Sequence, residues 1–536
     1  MSNRVLRIRD PIHGYVTVTA IEQPLLDHPI TQRLRWVAQS GLAQFVFPEV
    51  RTSRFTHSLG TMHLASRFLL GILRNADPSV RARLEREFTA AVTAADPDVE
   101  LSSATIGELQ RQGLIACTAV SPGAAAATVV VEQALRLAAL FHDLGHLPFS
   151  HDFEYVIKSL VNEEAAASTL FGRLGRGKPP HEQIGYAMVS LIQRSVYAPL
   201  TATGLRDVAS PAFKLARQIM AADEPYGLGT APASIRLLHS LVDGEIDVDR
   251  GDYLLRDARN YGFDYVTFDL ERLVSSLTVH EHADGDLSVA ILPRGQPAAE
   301  SFLFARYRIY QWGVFQHKVV QLGAAFQMIS REQLRGAFSN PTHRLHGFLS
   351  EIANLADPNA ESKQRTTALE AFASHDDIWW LADLRANAPD SLMRDLVLHR
   401  KPGPVSLWKR VSGFPGGRPA VEELNSHLPQ QGDTVAEAAW QELVQRVRTN
   451  YGVIVSRVRF TPVRLDESTG ASLLSVGTSA SAARPLSELS PLIATLSTAW
   501  ASDIQVFAFT EHHVADPAAV AANVCSEMMD TLSAKP

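Results

Sequence analysis

The chain has 536 residues, of which 46% are hydrophobic and 20% charged, with a formal net charge of −7 and a pI near 6.3. These values are typical of a large globular protein with more than one domain, and they argue against disorder and against a surface that coats nucleic acid throughout. Two cysteines are too few for a disulfide framework or a cysteine zinc cage, and there is neither a signal core nor an apolar span of about 18 residues, so we predict a cytoplasmic protein whose metal ligands are His and Asp.

The N-terminal residues predict a β-hairpin followed by a helix. Apolar and polar residues alternate over 4–19 around the turn sequence Asp-Pro-Ile-His-Gly at 10–14. Helical spacing begins after Asp27, which is a predicted N-cap, and stops at Gly41.

His57 follows an aromatic, proline-containing segment at 45–55 and opens an amphipathic helix. The apolar spacing after His57 lets one side of this helix pack while the imidazole faces a cleft. Residues 75–128 are rich in Ala, Asp and Glu with weak periodicity, and they predict a variable helical insertion outside the functional site.

Residues 140–151 form the densest cluster of reactive side chains. His142 and Asp143 end an apolar run, and His146 lies four residues beyond His142, so on a continued helix the two imidazoles share a face until Gly145 and Pro148 break it. A neutral imidazole beside a carboxylate suits a divalent transition metal, and spare imidazoles suit proton transfer and anion binding. A structural His-Asp pair explains an isolated dipeptide better than it explains a cluster of this density.

A second polar pattern follows the helix that opens near His181. Asp249, Tyr253 and Asp257 fall at i, i+4 and i+8 and so form a stripe on one side of a helix. Such a stripe usually faces solvent, but a tyrosine in its middle is unusual there. One long helix is predicted beyond it, from Glu300 to Gln327.

The remaining sequence predicts more helices and then a change of pattern. Helices fill 331–398, and a segment at 401–434 contains enough Pro and Gly to act as a linker. Beyond it we predict a small α+β region at 435–536, with helices at 435–449, 485–499 and 515–531 and strands at 453–464, 472–476 and 503–509. The predicted fold class is therefore mainly α with a small C-terminal α+β appendage.

Four residues on three segments can meet as ligands of one metal ion: His57, His142, Asp143 and Asp249. Two imidazoles and two carboxylates leave open positions for water and a phosphate oxygen, as a catalytic site requires.

Several motifs together resemble the HD-domain deoxynucleoside triphosphate triphosphohydrolase family, both the HD core of its animal sterile-alpha-motif members and its bacterial relatives. They are Ser-Arg-Phe-x-His-Ser-Leu-Gly at 53–60, His-Asp-Leu-Gly-His-x-Pro-Phe-Ser-His at 142–151, His-Glu-Gln at 181–183, Ile-Asp-Val-Asp-x-x-Asp-Tyr at 246–253, Asp-Pro-Ile-His-Gly at 10–14 and Gln-Arg-Leu-Arg at 32–35. The resemblance spans about residues 5–325. It implies an HD-domain helical core, which we place at 1–400.

The resemblance implies hydrolysis of dNTPs at the α-phosphorus to a deoxynucleoside and inorganic triphosphate. It implies a divalent metal ion (Mn, Fe, Mg or Zn) on the four ligands, a homo-oligomer (dimer or tetramer), and activation by dGTP or GTP. The implied catalytic residues are His146, His151, His181 and Glu154; the substrate-binding residues are Gln39, Arg54, Arg250, Tyr253, Asp257, Arg306 and Lys318; and the activator-binding residues are Arg7, Asp27, Gln32 and Arg35.

Some positions depart from the family pattern. Glu154 stands where the animal members have Asp, so Asp152 is an alternative partner for the histidines. Ser40 and Phe315 replace a leucine and a tyrosine near the sugar, which puts the exclusion of ribonucleotides in question. Two alternatives stay open: another HD phosphohydrolase (nucleotidase, cyclic-nucleotide phosphodiesterase or alarmone hydrolase), and a nucleotide-gated protein that binds single-stranded nucleic acid without turnover.

Overall fold

The computed structural model describes residues 6–99, 101–115, 125–172, 174, 178–197, 200, 204–221, 231–357, 359–401, 404–429, 434–458, 474–476 and 483–533. Helices dominate these residues, which confirms the mainly α fold class. Among the described helices, none combines the length and the apolar content that crossing a membrane requires.

The elements follow one another in three groups. The first is β1 (Leu6–Asp10), β2 (Gly14–Val18), α1 (Gln23–Leu26), α2 (Pro29–Arg33), α3 (Arg54–Asn75), α4 (Pro78–Ala95), α5 (Ser103–Arg111), α6 (Ala126–Phe141), α7 (His151–Glu163), α8 (Ala165–Phe171) and α9 (Pro180–Tyr197). The second is α10 (Leu205–Met220), α11 (Ala233–Ser240), α12 (Val248–Tyr261), α13 (Leu270–Ser275), β3 (Leu277–Glu281), β4 (Leu287–Ile291), α14 (Gln296–Ile309), α15 (His317–Leu334), α16 (His346–Ala356), α17 (Ser362–Phe372), α18 (Asp377–Asn387) and α19 (Leu392–His399). The third is α20 (Gly417–Ser426), α21 (Thr434–Tyr451), β5 (Val453–Arg457), β6 (Leu474–Val476), β7 (Ala483–Pro485), α22 (Leu486–Leu489), α23 (Pro491–Ala501), β8 (Val506–Thr510) and α24 (Pro517–Ser533).

Helix α6 lies at the centre of the helical body. All of its residues from Ala127 to Phe141 are buried, because it is apolar on nearly every side and packs against both α3 and α10. Its buried Arg136 forms a bidentate ion pair with buried Glu22, with nitrogen–oxygen distances of 2.5 and 2.8 Å. This pair connects the N-terminal segment that contains Glu22 to helix α6, which ends directly before His142.

The N-terminal prediction is confirmed for the hairpin and corrected for the helix. β1 and β2 pair antiparallel from Leu6 opposite Val18 to Asp10 opposite Gly14. The N-cap of α2 is His28 rather than Asp27, because the His28 imidazole accepts from the Ile30 amide.

Two predicted helices end earlier than expected. Helix α2 ends at Arg33 and continues only as a 3-10 turn over Leu34–Trp36, well before Gly41. Helix α6 ends at Phe141, so His142 and His146 do not share the face of one helix; turns connect them.

The single long helix predicted from Glu300 to Gln327 is wrong. Helix α14 ends at Ile309, a π-helical turn covers Tyr310–Val314, and α15 starts anew at His317. The Gln316 side chain accepts from the amides of Lys318 and Val319 and so caps the new helix. The π-turn points side chains into the cavity described below.

The C-terminal region is joined to the helical body by a sheet. β6 pairs parallel with β4, giving the strand order β3-β4-β6-β7, and β5 pairs antiparallel with β8. Within the predicted linker at 401–434, the described residues 404–429 include α20, a buried Trp408, and Ser406 in a bridge to Phe509. The parts of the predicted strands at 459–464 and 472–473 lie outside the described residues.

We expect Glu22→Ala to lower the free energy of unfolding by about 3–5 kcal/mol, because it leaves the Arg136 guanidinium buried without its carboxylate. Urea unfolding measures this. The matched control is Glu108→Ala, which breaks an exposed pair with Arg111 and is expected to cost less than about 1 kcal/mol. Equal effects of the two variants would contradict a structural role for the buried pair.

Candidate active site

A cavity of about 570 Å³ lies beside α12, in the size range of small-molecule sites. Its walls come from residues 39–41, the turn after α6, the π-turn and β5. The predicted site residues that line it are Gln39, Arg54, His142, Asp143, His146, His151, Asp152, His181, Asp249, Tyr253 and Asp257. His57 and Glu154 lie buried behind this lining.

One face of α12 lines the cavity along the length of the helix. Asp249, Tyr253 and Asp257 lie on that face as predicted, and Tyr261 follows at i+12. At 1.5 Å per residue the face extends over about 18 Å. The sequence analysis missed Tyr261, although continuing the four-residue spacing by one turn would have found it.

The four predicted metal ligands come together at one end of this face. His57 Nε2 lies 2.9 Å from Asp249 Oδ1 and 3.6 Å from Asp143 Oδ2. His142 Nε2 lies 3.4 Å from Asp143 Oδ1 and 3.7 Å from Asp249 Oδ1. Ligand atoms of His57, His142 and Asp249 all lie within 4.8 Å of one another, while Asp143 also pairs with the Arg54 Nη1 at 2.6 Å.

The donor set fits a divalent cation. His57 Nδ1 faces an Asp252 carboxylate oxygen at 2.8 Å and His142 Nδ1 faces the Ala139 carbonyl at 2.7 Å, so each Nδ1–H donates and each Nε2 keeps its lone pair. Both Nε2 atoms face the Asp249 carboxylate, with His57 Nε2 at 2.9 Å and His142 Nε2 at 3.7 Å from Asp249 Oδ1. Two imidazole nitrogens and a carboxylate oxygen that converge in this way can be ligands of one divalent cation.

The charges around Asp249 also favour a bound cation. Burial lowers the pKa of His57, but the carboxylates of Asp249, Asp252 and Asp143 outweigh it and raise the pKa to about 10. Burial opposes ionisation of Asp249 as well, yet the two imidazoles hold its pKa below the usual range. A divalent cation supplies the charge that these carboxylates otherwise draw from the imidazoles.

Asp252 fixes the orientation of His57 from behind. Its second oxygen, Oδ1, lies 2.7 Å from His13 Nε2 and 2.7 Å from Arg256 Nη2, and all these groups are buried. A Cβ atom on Gly60 would lie only 1.8 Å from Asp252 Oδ1, so this close packing requires glycine at position 60. His13, in the turn of the N-terminal hairpin, therefore contacts the partner of a predicted metal ligand.

Glu154 lies among the three predicted catalytic histidines. Its Oε1 is 2.7 Å from His181 Nδ1 and 3.3 Å from His146 Nδ1, and its Oε2 is 3.3 Å from His151 Nδ1. The His146 and His181 rings stack with centroids 3.9 Å apart. These four residues also have metal-like spacing, but the hydrogen bonds that Glu154 accepts from His181 and His151 favour a proton-transfer cluster.

Asp152 points elsewhere. Its carboxylate accepts from Gln327 Nε2 at 3.3 Å and lies near Gly41 and Gly323. The structure therefore places Glu154, and not Asp152, against the histidines.

The histidines of the cluster have opposite protonation tendencies. Burial, together with the nearby charges of Arg54 and His181, lowers the pKa of His146 to about 3. For His181, burial is outweighed by Glu154, whose carboxylate raises the pKa. The surroundings thus favour the neutral form of His146 and the protonated form of the His181 ring on which it stacks.

The loop between His146 and His151 is held in a strained conformation. Phe149 and Ser150 both have φ of 55°, a region that side chains rarely adopt. Asp377 accepts from the Phe149 amide at 2.6 Å and from the Ala38 amide at 2.9 Å. Buried Arg33 donates to the His146 carbonyl at 2.7 Å.

Three predicted substrate-binding residues do not line the cavity. Arg250 is ion-paired with Asp247, Arg306 Nη1 lies 3.2 Å from Glu245, and Lys318 is exposed. The acidic partners of Arg250 and Arg306 are invisible in a motif, and the substrate-binding role of all three residues stays a prediction.

The predicted activator residues lie away from the cavity. Arg7 and Asp27 are exposed, and Arg35 donates to Gln32 Oε1 at 2.7 Å. The Arg35 guanidinium stacks over Phe55 at 3.7 Å.

The cavity also contains residues to which the sequence analysis gave no role. His239 lines it with Nδ1 bonded to the Ile219 carbonyl at 2.7 Å, and Tyr155 lies at its mouth. β5 contributes Arg457. No local pattern links these positions to the motifs, because tertiary packing alone brings them together.

Comparison with known proteins gives distant relatives. No protein-family model matches the chain. It is 27% identical over 328 residues to an uncharacterised protein of Methanocaldococcus jannaschii, covering 61% of this chain and 49% of that protein. It is 25% identical over 327 residues to the deoxynucleoside triphosphate triphosphohydrolase SAMHD1 of Homo sapiens, covering 58% of this chain and 42% of that protein. The chain thus spans about half the length of these relatives, and the predicted resemblance to the HD-domain triphosphohydrolases is confirmed.

Two solved structures share the fold. A hypothetical protein from Aquifex aeolicus matches with a TM-score of 0.56 at 19% identity, over 98% of this chain and all of that one. A phosphohydrolase from Bacteroides thetaiotaomicron matches with a TM-score of 0.55 at 20% identity, over 95% of this chain and all of that one.

We expect Asp252→Asn to weaken metal binding by about 10- to 100-fold. The neutral amide of Asn lacks the charge of the carboxylate, so it holds the proton on His57 Nδ1, and with it the free Nε2, less firmly. Metal content after dialysis against graded chelator measures this. Asp395→Asn is the control, since Asp395 pairs with exposed Lys401. Unchanged metal content in Asp252→Asn would refute the orienting role.

The pH dependence of stability should report on Asp377. Burial raises the pKa of Asp377 from about 3.8 to about 7, so between these values the native state binds the proton more tightly than the unfolded chain. The stability contributed by protonated Asp377 is fully present below pH 4 and is lost as the pH rises through 7. We expect the difference in unfolding free energy between wild type and Asp377→Asn to fall by up to about 4 kcal/mol over that interval.

Urea unfolding of the wild type and of Asp377→Asn from pH 4 to 8 measures this difference in unfolding free energy. Asp516→Asn is the matched control, because Asp516 also accepts from two backbone amides but is exposed. A flat difference for Asp377→Asn would contradict the assignment.

Proposed function

We propose that this chain hydrolyses deoxynucleoside triphosphates at the α-phosphorus and releases a deoxynucleoside and intact triphosphate. The observation that carries the proposal is the convergence of the imidazoles of His57 and His142 with Asp249, whose ligand atoms lie within 4.8 Å of one another, beside a cluster of three histidines around Glu154. The distant relationship to the SAMHD1 triphosphohydrolases and the fold shared with a phosphohydrolase support the reaction class.

The metal ion would be held by His57, His142, Asp143 and Asp249. When bound, a divalent ion polarises a phosphoryl oxygen and lowers the pKa of a coordinated water. In the overall reaction the bond between the 5′ oxygen and the α-phosphorus breaks. The water oxygen forms the new bond to phosphorus, and a proton passes to the 5′ oxygen.

His181 is the proposed proton donor. Its Nδ1–H donates to Glu154 at 2.7 Å, and this carboxylate raises the pKa of His181, which favours the protonated ring whose Nε2 proton can pass to the leaving 5′ oxygen. His146 stays neutral beside it, so the stack does not place two positive charges in contact. We propose that Glu154 orients all three histidines.

Arg54 is the proposed phosphate contact. Its side chain lines the cavity and is held rigidly by Asp143 at 2.6 Å and by Ser150 Oγ at 2.8 Å. A fixed guanidinium next to the metal ligands binds phosphate oxygens without further ordering. Tyr253 and Asp257 continue along α12 toward the sugar, where Gln39 and Asp257 would bind its 3′-hydroxyl.

Regulation and assembly are proposed from the resemblance. The pair formed by Gln32 and Arg35, with the Arg35 guanidinium on Phe55, offers hydrogen-bonding groups outside the cavity. We propose that dGTP or GTP binds there and promotes a homo-oligomer. A measurement of molecular mass with and without dGTP tests this, and an unchanged mass would refute it.

The reaction is tested by product analysis. The pure chain is incubated with each of the four dNTPs and Mn²⁺ or Mg²⁺, with and without dGTP, and the products are separated by chromatography. We expect deoxynucleoside and triphosphate in equal amounts, and chelation of the metal should abolish their formation. Release of a deoxynucleoside monophosphate and diphosphate, or no product under any condition, would refute the proposal.

Variants assign the roles within the site. His142→Ala should abolish turnover because it removes a metal ligand. Glu154→Gln should lower kcat by about 100-fold or more, because general acid catalysis loses its orienting charge. Asp152→Asn should lower kcat far less, since this carboxylate faces Gln327. A larger loss in Asp152→Asn than in Glu154→Gln would reverse the two assignments.

A further inference from the structure

Three arginine side chains from three different helices converge in the helical body, outside the lining of the cavity. They are Arg194 on α9, Arg217 on α10 and Arg365 on α17, and α9 packs against both of the other helices. We refer to these three residues as the arginine cluster.

Hydrogen bonds bring Arg217 and Arg365 to two consecutive residues of α9. Arg217 Nη2 donates to the Tyr186 hydroxyl at 3.2 Å, and its guanidinium carbon lies 4.9 Å from the centroid of the Tyr186 ring. Arg365 Nη2 donates to the Ala187 carbonyl at 3.2 Å. The two guanidiniums therefore meet at the same part of α9.

Arg194 reaches the same region from a later turn of α9. Its Nη1 donates to Ser362 Oγ at 2.8 Å, and Ser362 is the first residue of α17, one turn before Arg365. Arg194 and Arg365 thus lie at the same end of α17, and all three helices contribute one positive charge to this place.

The arginine cluster has no acidic partner within ion-pair distance in the part of the chain that the structure describes. The hydrogen bonds of its members go to two hydroxyls and a carbonyl instead. The buried guanidiniums of Arg136 and Arg256, by contrast, each pair with a carboxylate. The charge of the cluster is therefore not balanced by the fold.

Burial and like charge both act against the ionised form of Arg365. Burial, followed by the charges of Arg217 and Arg194, lowers the pKa of Arg365, and the carboxylate of Asp357 offsets this by less than either arginine contributes. The Nε atoms of Arg217 and Arg365 are also buried without a hydrogen-bond partner among the described residues. Positive charge and N–H donors are thus both in excess here.

The chemistry of the arginine cluster fits a phosphate group. A guanidinium presents its N–H donors in a planar fork that matches two oxygens of a phosphate, and it stays charged at neutral pH. Three guanidiniums supply enough charge for a group with two or more negative charges. A carboxylate carries one charge on two oxygens and would leave most of these donors unpaired.

We propose that the arginine cluster is a binding site for a phosphate-type oxyanion, either free or carried by a small molecule, and that this site is separate from the proposed active site. The inference does not depend on the proposed reaction. Because the bound anion contacts α9, α10 and α17 at once, it should stabilise the folded chain.

Inorganic pyrophosphate is the probe, and calorimetry at constant ionic strength without divalent metal measures its binding to the full chain. We expect a dissociation constant below about 1 mM. Absence of binding up to about 10 mM would overturn the inference.

Two variants assign the binding to the arginine cluster. Arg365→Gln and Arg194→Gln should each weaken pyrophosphate binding by about 10- to 100-fold, the worth of one charge-assisted hydrogen bond. Arg446→Gln is the matched control, because Arg446 pairs with Glu527 at 2.7 Å on another surface. Pyrophosphate that binds equally well to both variants is held elsewhere, for example beside Arg54 in the cavity, and that result would overturn the inference.

Thermal unfolding separates a binding role from a structural one. Arg194 is exposed, so Arg194→Gln should fold, and in buffer without multivalent anions its Tm should equal or exceed that of the wild type because one of three repelling charges is gone. Added pyrophosphate should raise the Tm of the wild type and of Arg446→Gln, and raise that of Arg194→Gln less at each concentration. An equal rise in all three chains would overturn the inference.

Discussion

A single buried carboxylate, that of Asp252, connects the predicted metal ligand His57 to the rest of the fold. It holds His57 on α3, pairs with Arg256 one turn along its own helix and contacts His13 in the N-terminal hairpin. Burying an ionised carboxylate is costly unless every lone pair is bonded, and here each oxygen has a strong donor. The position of the metal ligand thus depends on three distant segments at once.

The active-site cavity divides into two halves along α12. The first half gathers carboxylates and imidazoles whose arrangement suits a cation, and the second half carries Ser40, Tyr261 and Asp257. Burial raises the pKa of Asp257 to about 6, in contrast with the lowered pKa of Asp249 two turns earlier on the same face. The two carboxyl groups on this face therefore have opposite tendencies to ionise.

The sequence predicted the parts of the site that depend on local spacing. The α12 stripe, the placement of His57 in the first turn of a helix and the density of histidines after α6 were all visible, and the family resemblance joined them. The contacts that hold the loop between His146 and His151 could not be seen in the sequence. Asp377 lies 228 residues from the Phe149 amide it binds, and no periodicity encodes such a contact. The break between α14 and α15 was missed because its cap, Gln316, has no apolar signature.

The cavity is completed by β5, whose Arg457 lies more than three hundred residues beyond the first metal-ligand segment, and the sheet that carries β4 gains β6 from the same late part of the chain. During synthesis the predicted metal ligands emerge from the ribosome well before this wall exists. The three segments that carry them can come together while the cavity is still open on one side. Only a nearly finished polypeptide can close that side of the cavity.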